Sequence, residues 1–167
     1  MRRLGKELGV EAMSLYGYVA NKQDLLEGVL ARVYEEMPRC GAGTWEERLR
    51  AIARRLRHVL LRHPNVVCLV AARPIAGEGG LHMVESALAE LRDGLGLVNA
   101  HRALTVVMGF TVGHVATQVG GVGEPRRPDD SERFPNVSAL SVDHDAEFEV
   151  GLDVIVAGVS RLMDLVV

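Results

Sequence analysis

The sequence has few aromatic residues, few cysteines and no long uninterrupted apolar run. Aromatic residues make up 4% of the 167 residues, and the two cysteines are Cys40 and Cys68. Two cysteines are too few for a disulfide framework, so we expect both as buried thiols. We find no apolar stretch of the roughly 20 residues that a membrane helix needs, and no apolar core of a secretion signal near Met1. We therefore expect a cytoplasmic chain with no membrane partner.

A surplus of positive charge is also missing, because the net charge is −3 at pH 7. This balance argues against a protein whose whole surface is basic for nucleic-acid binding. Hydrophobic residues make up 48% of the chain and charged residues 25%. That composition suits one compact domain with a real core, or one domain plus a small module, and it excludes a disordered or fibrous protein.

The N-terminal part of the chain is predicted to form a small helical unit. A helix over residues 2–8 ends at Gly9, where a glycine suits the left-handed end of a helix. A second short amphipathic stretch covers residues 10–19. Asn21 then has the position of an N-cap for a third helix over residues 22–37.

A stretch rich in proline and glycine at residues 38–43 separates two predicted domains, 1–38 and 44–167. Thr44 and Glu47 have the spacing of a capping box at the start of the second domain. Its helices are predicted over residues 45–63, 65–73, 81–92, 100–119 and 145–165. The segment between the last two, rich in glycine and proline, is predicted to be a loop or partly ordered. No strand pattern is convincing, so the fold is predicted to be all-α.

The first two helices have the form of a helix-turn-helix. Gly9 supplies the small residue of the turn, and apolar residues pack the two helices together: Leu4, Leu8, Val10, Leu15 and Val19. The second helix then presents Ala12, Met13, Ser14, Tyr16 and Tyr18 outward. Small side chains allow close approach to DNA, and hydroxyl groups reach phosphates or base edges.

These residues carry a resemblance to a known family. The ordered string from Leu8 through Ser14-Leu15-Tyr16-Gly17-Tyr18-Val19-Ala20-Asn21-Lys22 to Leu26 is similar to the DNA-binding signature of tetracycline-repressor (TetR) family regulators. The resemblance implies phosphate contacts from Tyr16 and Lys22, a backbone or groove contact from Arg2, and base reading by Ala12, Met13, Ser14 and Tyr18. It also implies a first helix upstream of Arg2 that the printed sequence lacks, so the DNA-binding domain is expected to be incomplete at its N-terminus.

The second half is similar to the tetracycline-repressor-like regulatory domain of the same family. The similarity rests on Trp45, the Leu60-Leu61-Arg62-His63-Pro64 step, Arg73-Pro74 and the run from Glu147 to Leu152. It implies a helical bundle that binds a small molecule and forms a homodimer. The function implied is a transcriptional repressor that leaves double-stranded operator DNA when its effector binds.

The effector is expected to be lipophilic rather than a tetracycline–magnesium chelate. Leu69 stands where the resemblance puts a metal-binding histidine, and leucine cannot bind a hard cation. Apolar Pro38, Ile52 and Leu56 replace polar or aromatic drug-binding side chains. We therefore predict no metal and no cofactor. The predicted pocket has an apolar lining with one polar group, from the set Ile52, Leu56, Leu69, Arg73, Met83, Met108 and His114.

The homodimer is predicted to form through the helices over residues 100–119 and 145–165. Apolar residues on the last helix recur with a 4-3-4-3 spacing that is typical of helix interfaces. The predicted interface residues are Leu104, Val107, Val115, Phe148, Leu152, Ile155, Val159 and Leu162.

Two charged clusters receive structural interpretations. The six arginines on the helix over 45–63 are interpreted as a solvated face, and the run Asp143-His144-Asp145 as a helix cap rather than a metal site. Two alternatives to an operator-binding repressor remain open. One is a truncated or diverged family member that senses a ligand but no longer binds DNA, and the other is an enzyme that uses the helical cavity. No phosphate-binding loop, dinucleotide fingerprint or nucleophile motif supports the enzyme.

Overall fold

The chain is a bundle of α-helices arranged around one long helix. The computed structural model describes residues 1–38, 41–73, 75, 77–120 and 133–164. Within these ranges no residue lies in a strand, so the all-α prediction is confirmed. In chain order the helices are α1 (Arg2–Leu8), α2 (Ala12–Leu15), α3 (Lys22–Glu35), α4 (Trp45–Arg62), α5 (Val67–Ala72), α6 (Glu78–Val119), α7 (Pro135–Ser138) and α8 (His144–Asp164). A 3-10 turn, Pro64–Val66, precedes α5.

Helix starts follow the predicted capping residues. The Asn21 side chain accepts hydrogen bonds from the backbone N–H groups of Gln23 and Asp24 at 2.7 and 3.1 Å. Thr44 and Glu47 form a reciprocal capping box at the start of α4. Because both devices satisfy backbone donors that the helix itself leaves unpaired, they fix where α3 and α4 begin.

The N-terminal unit differs from its prediction in the length of its second helix. α1 ends at Gly9 with φ of 67°, as predicted. α2, however, is only four residues long. Beyond it the chain continues to coil through tighter bonds, such as Tyr16 N–H to the carbonyl of Met13 and Tyr18 N–H to the carbonyl of Leu15, both at 3.1 Å. Such i to i+3 bonds belong to 3-10 turns rather than to an α-helix.

The core of the second domain is built on α6, which contacts α3, α4, α5 and α8. Gly96, with φ of 70°, breaks α6 into two helical halves. This break agrees with the two separate helices that the sequence predicted there. The main core cluster joins side chains of α4, α6 and α8, among them Leu49, Ile52, Leu91, Leu104, Val107, Phe148 and Leu152.

The interpretation of the α4 arginines as a solvated face is wrong for the four that are half-buried, Arg48, Arg50, Arg55 and Arg57. Arg54 and Arg62 are exposed. Arg50 and Arg54 reach across to Asp153 and Glu149 on α8, at 2.8 and 2.6 Å. Arg57 likewise pairs with α8, through Asp145, and Arg48 and Arg55 bind α6. The arginines therefore tie α4 to its neighbours, because long cationic side chains can flank a buried stripe while their ends reach acidic partners.

The thiol prediction also needs correction. Cys68 is exposed, because α5 turns the adjacent Val67 into the core and leaves Cys68 on the outside. Cys40 lies outside the described residues.

Among the described helices, α6 alone is long and apolar enough to cross a bilayer by length and composition. The expectation that no apolar stretch is long enough for a membrane helix is therefore wrong for α6. Its glycine and histidine residues interrupt the apolar sequence but leave the helix apolar on average. Its buried residues pack within the chain's own core and Gly96 interrupts it.

Most of the predicted dimer-interface residues are core residues of a single chain. Leu104, Val107, Val115, Phe148, Leu152 and Val159 are all buried within the chain. The interface-like spacing of α8 thus marks the face that packs on α4 and α6, and the prediction is wrong for these six residues. Ile155 packs at the edge of the same core, and Leu162 is exposed.

Candidate functional site

The predicted DNA-contact residues lie on an exposed surface of the N-terminal unit. Tyr18 is 89% exposed, and Met13 and Tyr16 are also exposed. Arg2, Ser14 and Lys22 are solvent-accessible as well, whereas the side chain of Ala12 lies outside what the structure describes. Large apolar and aromatic side chains that stand this far into solvent are typical of an interaction surface.

Packing between the first two helices is looser than predicted. Leu8 and Val10, predicted to join α1 to α2, are exposed, while Leu4, Leu15 and Val19 are half-buried. The contact between these two helices therefore rests on fewer apolar side chains than the pattern indicated.

Helix α3 connects the N-terminal unit, formed by α1 and α2, to the helices α4 to α8, which we call the regulatory bundle. It begins at Lys22 in the predicted DNA-contact set, and its far end buries Leu30, Val33 and Tyr34. Next to Leu30, Ala31 crosses the start of α6 so closely that a Cβ on Gly79 would lie 2.8 Å from the Cα of Ala31. Because only a glycine permits this approach, α3 and α6 touch backbone to backbone at one crossing point.

A cavity of about 390 Å³ lies beside this crossing point. α3 contributes Tyr34, α4 contributes Ile52 and Arg55, and α6 contributes Met83 and Glu90. Burial raises the pKa of the Tyr34 hydroxyl. The volume falls within the range of small-molecule sites. Of the seven predicted ligand residues, this cavity brings together Ile52 and Met83.

The remaining predicted ligand residues are dispersed, so the predicted single pocket is wrong in this respect. Arg73 lines a second cavity of about 330 Å³ on the other side of Tyr34. Leu56 is buried in a separate apolar cluster against which Met108 packs, and Leu69 is half-buried on α5. Spacing along helices showed that these residues are apolar but not which interhelical gap each one fills.

His114, the last of the seven, belongs to an aromatic cluster between α6 and α8. Its ring lies beside Phe110 and Phe148, and its Nε2 is 2.9 Å from the backbone carbonyl oxygen of His144. Burial lowers the pKa of His114, and the Arg57 guanidinium nearby acts in the same direction. His114 therefore helps to pack α8 onto the bundle, away from the 390 Å³ cavity.

The start of α8 supports the capping interpretation of its acidic run. The Asp143 carboxylate accepts hydrogen bonds from the backbone N–H groups of Asp145 and Ala146 at 3.0 and 3.1 Å. Asp145 in turn accepts from Arg57, and this hydrogen bond lowers the pKa of Asp145.

A second link joins the end of α3 to the end of α4. Glu36 contacts the His63 ring at 3.0 Å and the Arg62 guanidinium at 3.1 Å. The hydrogen bond with His63 lowers the pKa of Glu36. Together with the Ala31 contact, this link holds α3 against the regulatory bundle at both ends of its second half.

Sequence reasoning missed Arg55 and Glu90 as cavity residues. Their side chains form an ion pair at 3.2 Å although they are 35 residues apart in the chain. No local pattern could signal the pair, because it exists only once α4 packs against α6.

Comparison with known proteins gives this arrangement its family. Residues 37–163 match the model of the tetracyclin repressor-like C-terminal domain. The chain belongs to the TetR family. The repressor DrrR1 of Streptomyces coeruleorubidus is 35% identical over 124 residues, which cover 71% of this chain and 46% of DrrR1. The chain thus spans about half the length of this relative.

Solved structures of TetR-family proteins share the fold over nearly the whole chain. One, described as a possible TetR family transcriptional regulator from Streptomyces coelicolor A3(2), has a TM-score of 0.75 and 31% identity, covering 96% of this chain and 88% of its own. The Streptomyces coelicolor TetR family protein ActR, solved in complex with actinorhodin, has a TM-score of 0.78 and 27% identity, covering 98% and 87%. These matches include the N-terminal unit as well as the regulatory bundle.

Proposed function

We propose that this TetR-family chain is a DNA-binding transcriptional regulator, a repressor released from its operator by a small, largely lipophilic effector. The observation that carries the proposal is the course of α3. This helix begins at exposed Lys22 and ends in the wall of the 390 Å³ cavity at Tyr34. A ligand in the cavity therefore contacts the same helix that carries Lys22 of the DNA-contact set.

The mechanism is a thermodynamic linkage between two sites. A ligand that fits the cavity better when α3 has shifted favours a state in which the recognition surface no longer matches the operator. By the same linkage, operator binding lowers the affinity for the effector.

The active form is proposed to be a homodimer that meets two operator half-sites. The helices are those predicted from the sequence, but the faces are different. Exposed apolar residues lie on the second half of α6 and on α8, including Val98, Val106, Val150, Val154 and Leu162. Val106 and Leu162 line one small groove between the two helices, so the two stripes meet at this point. A second copy of the chain would cover this face and place two recognition helices about 34–36 Å apart.

The protein is proposed to act in the cytoplasm, without catalysis, metal or cofactor. The named relatives are regulators, which supports a binding function rather than an enzymatic one. The alternative, a ligand sensor that no longer binds DNA, is distinguished from a repressor by an operator-binding experiment.

Operator binding is tested on DNA from the region flanking the protein's own gene, at several salt concentrations. The chain is used alone and with an N-terminal extension that supplies the first helix implied by the family resemblance. We expect Lys22→Ala to weaken binding to all sequences and to reduce the salt slope by about one, because it removes one phosphate contact.

The matched control is Arg161→Ala, which removes one positive charge from an exposed position at the far end of α8. This variant should bind like the native chain. If both substitutions weaken DNA binding equally, the effect comes from the overall charge and not from a contact of Lys22. If neither form of the chain binds DNA, the result would favour a ligand sensor that no longer binds DNA.

A further inference from the structure

We propose that the effector is an amphipathic, uncharged molecule whose apolar body carries one edge with both a hydrogen-bond acceptor and a donor, and that Arg55 and Glu90 select this edge. The proposal rests on the proposed function, since it names the ligand class of the same cavity. It refines the expectation of a lipophilic ligand oriented by one polar group, and it assigns that role to Arg55 and Glu90 instead of Arg73 or His114.

The ion pair is held rigidly in the cavity wall. Arg55 on α4 and Glu90 on α6 are 3.2 Å apart, and each side chain is 17% exposed. The Nε of Arg55 also donates to the backbone carbonyl of Ala51 at 3.1 Å, which fixes the direction of the guanidinium. Arg48 in turn donates to the backbone carbonyl of Glu90 at 2.7 Å. Both charged groups are thus positioned before any ligand arrives.

Most of the surrounding wall can accept an apolar ligand body. Ile52 and Ala87 are buried at its base, and Met37 and Met83 flank it. Methionine side chains adapt to irregular ligand shapes. The polar side chains Ser86 and His82 lie on the same stretch of α6 as Glu90.

Desolvation makes the ion pair selective. A ligand that fills the cavity removes the remaining water from the Arg55 guanidinium and the Glu90 carboxylate. An apolar ligand gives nothing in return for this loss, whereas hydrogen bonds to charged groups compensate for it. Since a guanidinium only donates and a carboxylate only accepts, the matching ligand edge presents an acceptor to Arg55 and a donor to Glu90.

The ion pair itself favours a neutral ligand edge, because the charges of Arg55 and Glu90 cancel each other. Glu35 also lines the cavity, so an anionic ligand would meet two carboxylates. A cationic edge placed at the pair would meet the guanidinium. A neutral amide or a hydroxyl next to a carbonyl satisfies both groups at once.

The test compares three probes that share one naphthalene body: naphthamide, its N,N-dimethyl derivative and methylnaphthalene, each as the beta isomer. Naphthamide has an acceptor and a donor on one edge, the dimethyl amide has only the acceptor, and methylnaphthalene has neither. Their affinities for the full chain are measured by calorimetry. We expect naphthamide to bind about tenfold more tightly than methylnaphthalene, with the dimethyl amide between them, as one or two charged hydrogen bonds would give.

The decisive variant replaces both members of the pair, as Arg55→Met with Glu90→Met. Exchanging a buried ion pair for apolar side chains of similar volume is often neutral for stability, so this variant is expected to fold. It should reverse the order and bind methylnaphthalene best. Arg54→Met, which removes a neighbouring ion pair with Glu149 outside the cavity, should leave the order unchanged.

Three outcomes separate this proposal from the proposed function. An unchanged order of affinities in the double variant would overturn the role of the pair, and so would a failure of all three probes to bind the native chain. If naphthamide binds as expected but operator DNA is not released, the ligand class stands and the proposed regulatory function fails.

Discussion

Replacing Val150 and Val154 by glutamate is expected to convert the proposed homodimer into folded monomers. These side chains are 61% and 67% exposed on α8, on the side away from the core. In a dimer they would be covered, and each glutamate would lose its hydration without a partner. We expect the dimer dissociation constant to rise about a thousandfold, equivalent to about 4 kcal/mol, as measured by light scattering or sedimentation.

The matched control is Leu152→Glu on the same helix. Leu152 is 0% exposed and belongs to the core formed by α4, α6 and α8. A carboxylate there should unfold the regulatory bundle, which circular dichroism would show as a loss of the thermal transition. If the surface variant remains dimeric at micromolar concentration, the interface lies elsewhere on the chain.

Substituting Gly79 by valine is expected to weaken operator binding tenfold to a hundredfold. A Cβ at this position collides with the backbone of Ala31, so α3 must move away from α6. Overpacking of this kind typically costs about 1–3 kcal/mol, and here the displaced element positions the recognition surface. The expected signature is a large loss of DNA affinity measured by fluorescence anisotropy, with the melting of the α4–α6–α8 core little changed.

A second glycine provides the control on the other side of the same contact. Gly28 lies within α3, and a Cβ added there meets no atom within 4 Å. Gly28→Ala should stabilise the chain by about 0.5–1 kcal/mol through helix propensity and leave operator affinity unchanged. An equal loss of affinity in both variants would show that α3 is sensitive to any substitution, not to its crossing with α6.

Local chemistry made the starts of three helices predictable. Asn21, Thr44 and Asp143 each cap the helix that the sequence assigned to them, because capping depends on residues two or three positions apart. The family resemblance had the same basis, since its signature is a continuous string near the N-terminus. Capping residues and the family signature can therefore both be recognised without knowledge of the tertiary fold.

Packing between helices could not be predicted from the same patterns. An apolar stripe on α8 looks the same whether it meets another chain or the core of its own, and Phe148 and Leu152 prove to be core. Similarly, the arginines of α4 have acidic partners up to 103 residues away. The cavity depends on such distant contacts as well, which explains why Arg55 and Glu90 were missed while Ile52 and Met83 were found.

The proposed regulator couples an effector cavity to an operator-binding surface through α3. The most direct test is the dissociation constant for DNA flanking the protein's own gene, measured by anisotropy at increasing concentrations of naphthamide. Coupling predicts that this constant rises and then levels off, and that saturating DNA weakens naphthamide binding by the same factor. If naphthamide binds the chain and leaves the DNA dissociation constant unchanged, α3 does not couple the cavity to the DNA-contact surface.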